Sequence, residues 1–156
     1  MCIYDVLLPP ARARVAAFVC HDEAGAQSIT YSRTHRLVIS GGKAGDLCVF
    51  NLSKMEKVRE LADAHEGNIQ AIQLVLNDQF LITGSTDGHL KAWSMPDLEL
   101  LHTWTDAHEQ HRFIRPDLLN PGSAVFTKGV MKVLPHQQKL YSCGADGRIV
   151  ERNLGH

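Results

Sequence analysis

Short apolar runs recur along the chain, each bounded by Gly, Ser, Thr, Asn or Asp, and none sustains the spacing of a long amphipathic helix. Three phrases share one pattern: LVISGGKAGDLCVF (37–50), FLITGSTDGHLKAW (80–93) and LYSCGADGRIV (140–150). Each sets a strand-sized run and a small-residue step before a Gly-containing turn and a second run. Asp87-Gly88 and Asp146-Gly147 occupy that turn, where Gly supplies a positive φ and Asp bonds its own turn backbone. Gly45 serves the first copy, with Ala44 standing where the Asp is missing.

The pattern is periodic. Ser40 and Thr83 stand 43 residues apart, as do His65 and His108, and His21 precedes His65 by 44. Around Thr83 the runs predict four strands, at residues 69–76, 79–85, 89–94 and 98–104. Four short strands per period of ~40–45 residues, opened by a histidine and carrying a tryptophan in the third strand, describe a blade of a WD-repeat β-propeller. The Trp-Asp pair is degraded to Tyr4-Asp5, Phe50-Asn51, Trp93-Ser94 and Arg152-Asn153.

The expected class is therefore all-β, with about three four-stranded blades of a larger ring. Residues 1–20 end a preceding blade; 21–63 and 64–106 form the next two; 107–156 form another, with an insertion at about 109–128. The chain starts and stops at the same phase of the repeat. Three blades do not close a ring of ~4–8, so the expectation is that Met1 is internal or a truncated start, with further blades of the same chain before it.

Charge narrows the partners. Sixteen Lys and Arg against 17 Asp and Glu leave a net charge of −1, which offers nucleic acid or an anionic bilayer no footprint. Neither a signal peptide nor a spanning run is legible, since Asp5 and two prolines interrupt the N-terminal apolar segment. Cys2, Cys20, Cys48 and Cys143 are scattered singly, which predicts reduced thiols on the cytosolic side of membranes.

Candidate chemistry reduces to structure. His65, Thr83, Asp87 and Trp93 make a complete WD-type tetrad, in which indole, hydroxyl, imidazole and carboxylate form one chain of hydrogen bonds. A catalytic Asp–His pair is the rival, but no nucleophile recurs with it. HEQH at 108–111 misses the H-E-x-x-H zinc spacing by one residue. Cys20-His21 are neighbours pointing different ways, and the Gly-rich runs at 41–45 and 84–88 lack the Lys-Ser/Thr of a phosphate loop. No catalytic residue, cofactor or metal is expected.

The hairpin positions Thr83 and Ser142 stand 59 apart rather than 43, which locates an extra loop between His108 and Val130. Insertions in repeat proteins gather on one face that often binds partners. Arg112, Phe113, Arg115 and Phe126 are the contact candidates; a flexible, solvated loop is the alternative.

In order, CIYDVLLPP, FVCHDEAG, LVISGGKAGDLCVF, FLITGSTDGHLKAW, GVMKVL and YSCGADGRIVERNL resemble the C-terminal propeller of the rabconnectin, or DmX-like, proteins along essentially the whole chain. These are large WD-repeat scaffolds related to the yeast regulator of vacuolar proton-ATPase assembly. The resemblance implies a non-enzymatic scaffold that helps the peripheral sector of the vacuolar-type proton ATPase join its membrane sector. It implies peripheral subunits of that pump as partners, and a cytoplasmic protein attached peripherally to endomembranes or vesicles without inserting. The alternative is a generic WD-repeat adaptor, such as a ubiquitin-ligase substrate receptor. An enzyme carried on a propeller is the third class.

Overall fold

The computed structural model describes residues 2–4, 7–21, 24–109, 111–116, 121–127 and 129–154, with nothing of the side chains at 15, 111–116 and 121–127. Alternating short strands and tight turns produce antiparallel sheets stacked side by side. First come β1 (Cys2–Tyr4), a helical turn α1 (Pro10–Ala13) and β2 (Arg14–Ala17), with β1 paired to β2. Next, β3 (Ala26–Ser32), β4 (Leu37–Gly42), β5 (Leu47–Asn51) and β6 (Glu56–Leu61) form a four-stranded meander. A second meander comprises β7 (Ile69–Val75), β8 (Phe80–Ser85), β9 (Leu90–Ser94) and β10 (Leu100–Trp104).

The insertion differs from the expected loop. Residues β11 (His111–Pro116) and β12 (Pro121–Thr127) form a separate two-stranded hairpin, with Arg112 opposite Phe126 and Phe113 opposite Val125. The prolines and Gly122 read as loop punctuation, yet the aromatic and β-branched residues between them favour a strand. Pro116 and Pro121 face each other where the pairing ends. Then β13 (Val130–His136), β14 (Lys139–Gly144) and β15 (Ile149–Asn153) form a three-stranded sheet.

β8 is buried almost throughout because its sheet is covered on both faces, which is why FLITGS reads as a continuous apolar run rather than an alternation. Strand alternation divides its side chains between two cores. Leu81 and Trp93 join Leu37, Ile39 and Val49 in the gap toward the first meander. Ile82, Leu90 and Ala92 join Val130, Val133 and Leu140 in the gap toward the last sheet.

Leu98 closes the first gap. It turns at φ 51°, matched by Met55 at 57° one repeat earlier, and is 2% exposed against the first core. Small residues let the sheets approach: a Cβ added to Gly84 would lie 2.8 Å from Val130 Cβ, and one on Gly41 would lie 2.7 Å from Ile69 Cβ. Those two contacts are repeat-equivalent. β3, β7 and β13 thereby line up as adjacent inner strands.

Candidate functional site

The two meanders and the three-stranded sheet each present a histidine to a hydroxyl on their second strand and a carboxylate in the following turn. In the second meander, Trp93 Nε1–H donates to Thr83 Oγ1 at 2.9 Å. Because the indole is only a donor, Thr83 turns its own O–H to His65 Nε2, 2.8 Å away. His65 Nδ1–H then donates to Asp87 Oδ2 at 2.9 Å. All four residues are buried, Thr83 completely.

Burial pushes the Asp87 carboxyl up, but the hydrogen bond from His65 and the backbone N–H of His89 outweigh it and hold the group down to about 2. The carboxylate also accepts from the Glu66 N–H at 3.2 Å. It therefore ties the hairpin turn to the start of its own sheet.

A relay of the same kind recurs outside this sheet, with Ser in place of Thr and no tryptophan. In the last sheet, Ser142 lies 2.9 Å from His108 Nε2, and His108 Nδ1–H donates to Asp146 Oδ1 at 2.9 Å. Arg152 stands where Trp93 would, and its Nη1 donates to Ser142 Oγ at 2.6 Å. Its Nη2 reaches Ala107 O at 3.2 Å, the repeat counterpart of the Ala64 carbonyl that Lys91 Nζ meets at 2.6 Å. One guanidinium thus covers the work of Trp93 and Lys91 together, although burial pulls its pKa down.

The first meander corrects a second expectation. Ala44 does occupy the Asp position, but Asp46, one residue beyond Gly45, pairs with His21 Nδ1, while Ser40 Oγ lies 2.8 Å from His21 Nε2. The acid has moved across the turn glycine. Phe50 holds the tryptophan position, so no indole donor reaches Ser40, and Asp46 Oδ1 is buried without a hydrogen-bond partner. The signals available in the sequence were Ser40 and Ser142 at the repeat offsets of Thr83, and an acid within each turn.

The turn glycines take positive φ: 87° at Gly45, 91° at Gly88 and 75° at Gly147. Two of them also join neighbouring sheets, through His65 N–H to Gly45 O at 2.9 Å and His108 N–H to Gly88 O at 3.2 Å. Cys20 and His21 are both buried, so this pair belongs to the packing of the first meander. The side chains of Arg112, Phe113, Arg115 and Phe126 lie outside the described residues; their backbones fall on β11 and β12. Among the described residues, no group of His, Cys, Asp and Glu is placed to hold a metal ion, and no helix is long and apolar enough to cross a membrane.

The chain is similar to known proteins in sequence and in fold. The WD domain, G-beta repeat family model matches residues 55–94. DmX-like protein 1 of Mus musculus is 36% identical over 155 residues, and that of Homo sapiens 35%, covering 99% of this chain. It is a WD-repeat relative of the DmX-like proteins. The chain spans about 5% of the length of those curated relatives. Among solved structures, the WD40 repeats of RRP9 superpose with a TM-score of 0.66 at 12% identity, over 86% of this chain and 37% of that one. The β-propeller of Myceliophteria thermophila Cps50 (Swd1) gives 0.63 at 11%, over 88% and 38%. The DmX-like segment is thus part of a WD-repeat propeller, a fold that generally serves protein–protein interaction, and His21, His65 and His108 are engaged in holding the blades.

Proposed function

We propose that this DmX-like propeller segment is a non-catalytic scaffold within a factor for assembly of the vacuolar-type proton ATPase, and so for acidification of organelles and vesicles. The observation that carries the reading is the likeness to DmX-like protein 1 along nearly the whole chain. The relay geometry supports a non-catalytic reading: Thr83 and Ser142 are buried, and His65 and His108 are already bonded at both ring nitrogens. A nucleophile needs access to its substrate, which these hydroxyls lack.

On this reading the protein works in the cytoplasm, peripherally attached to endomembranes or vesicles through peripheral pump subunits. The test is gentle purification of the endogenously tagged protein from a membrane-containing lysate, with partners identified by mass spectrometry. Recovery of peripheral proton-ATPase subunits is the expected result. Recovery of ubiquitin-ligase components without pump subunits would overturn the proposal.

A further inference from the structure

In two of the three blades a cation on the third strand reaches back to the carbonyl just ahead of the relay histidine. Lys91 Nζ meets Ala64 O at 2.6 Å, and Arg152 Nη2 meets Ala107 O at 3.2 Å. The first meander has no such tie. Cys48 stands 43 residues before Lys91, and Cys20 precedes His21 as Ala64 precedes His65. The positions that a cation joins elsewhere thus carry two thiols here, in the blade whose relay lacks an indole donor and leaves Asp46 Oδ1 unpaired.

The thiols are hydrogen-bond neighbours, and both side chains are buried. Two residues away along each segment, the rings of Phe18 and Phe50 stand 4.3 Å apart, so residues 18 and 20 lie against 50 and 48 in step. His21, next to Cys20, is fixed by Ser40, and Ser40 pairs with Cys48 across β4 and β5. Both partners of the pair are therefore held from two sides.

We propose that Cys20 and Cys48 form a modification site that closes to an intramolecular disulfide under peroxide, stapling the segment ahead of His21 to β5. Peroxide reaches Cys20 when segment 18–20 lifts from the strand. The Cys20 sulfur attacks one peroxide oxygen, the O–O bond breaks, and a sulfenic acid forms with release of water. On repacking, the Cys48 sulfur attacks the Cys20 sulfur and the S–O bond breaks. The departing hydroxide takes the Cys48 proton as a second water. Across both steps two thiols lose two hydrogens with their electrons, and one peroxide becomes two waters. Burial then shields the closed bond from attack by other thiols. Such a staple goes beyond the scaffold reading and does not depend on it.

The test exposes the whole chain to hydrogen peroxide near neutral pH, with Cys2→Ser and Cys143→Ser so that no other thiol remains. Mass spectrometry of digests is expected to show a peptide linking residues 20 and 48, two hydrogens lighter than its parts. The melting temperature is expected to rise by roughly 5–10 °C over the reduced chain and to return with dithiothreitol, because the closed loop constrains the unfolded state. Adding Cys48→Ser should abolish the link and the rise together. A link between two chains, sulfinic acid at either cysteine without a link, no reaction with peroxide, or a linked chain that melts no higher than the reduced one would overturn the proposal.

Discussion

Arg152 donates to Ser142 at 2.6 Å from the position that Trp93 holds over Thr83, 2.9 Å away, so a guanidinium and an indole close the same relay in two blades. What the position requires is an N–H aimed at the hydroxyl, and either chemistry provides it. Arg152→Ala is therefore expected to destabilise the chain by about 1–3 kcal/mol, because the buried Ser142 oxygen and the half-buried Ala107 carbonyl lose a donor. Arg152→Trp should recover part of that loss at Ser142. Chemical denaturation of both variants decides it; equal stability of Arg152→Ala and the unmodified chain would show that the bond carries no weight.

Breaking a relay at its centre should cost more than breaking it at its end. Thr83→Val leaves the Trp93 N–H and His65 Nε2 without partners, at about 1–3 kcal/mol for each orphaned group. Ser40→Ala removes only the His21 contact, since Phe50 sends no donor to that serine. The expected order of midpoints in denaturant is unmodified, then Ser40→Ala, then Thr83→Val. A reversal would mean that the indole contributes nothing.

The tetrad of the middle blade was legible in the sequence, because His65, Thr83, Asp87 and Trp93 each match the repeat by residue type. The other two relays were not, for physical reasons. A hydrogen-bond network requires atoms in reach, and Asp46 reaches His21 from across Gly45 even though Ala44 fills the aligned position. Arg152 likewise shares no shape with Trp93, only a donor. The strands themselves were readable because both faces of β8 are covered and the apolar run is unbroken. Hairpin β11–β12 was hidden by its prolines.

Acid should unfold this protein through its turn carboxylates. Asp87 is held down to about 2 from an ordinary 3.8, and Asp146 and Asp78 are also lowered, each by hydrogen bonds that overcome the opposing effect of burial. A depressed carboxylate contributes stability that is complete above its unfolded value and is lost as pH falls through its folded value. For Asp87 that contribution is about 2 kcal/mol, surrendered between roughly pH 5 and pH 2. Stability measured by denaturant across this range should fall steeply for the unmodified chain and less steeply for Asp87→Asn. Parallel curves would remove Asp87 from the acid limb.

Close approach between blades predicts a steric penalty at two equivalent glycines. Gly84→Ala places a methyl 2.6 Å from Val130 Cγ1, and Gly41→Ala places one 2.5 Å from Ile69 Cγ2, with both partners fully buried and unable to retreat. Overpacking of this kind costs about 1–3 kcal/mol. Gly25→Ala is the control: its Cβ meets nothing within 4 Å, and only its φ of 78° is penalised, at about 1–2 kcal/mol. Thermal melts should rank Gly84→Ala and Gly41→Ala at or below Gly25→Ala. Higher melting of either would show that neighbouring sheets slide apart at no cost.

The cysteines test the seal between the N-terminal segment and the first meander. Cys48 on β5 is 1% exposed, and burial, followed by the adjacent Cys20 thiol, pushes its pKa up to about 12. Phe18 covers the same strand, with its ring centroid 4.3 Å from that of Phe50. Nucleophilic attack needs the thiolate, which is scarce at pH 8 for such a group, and it also needs access. Exposed Cys2 should therefore react with iodoacetamide at least ~100-fold faster than Cys48 in native buffer, a difference that mass spectrometry of timed digests resolves. In denaturant the two rates should converge. If Cys48 is alkylated as fast as Cys2 without denaturant, segment 18–20 does not stay packed on β5, and the His21 relay that follows it in the chain loses its anchor.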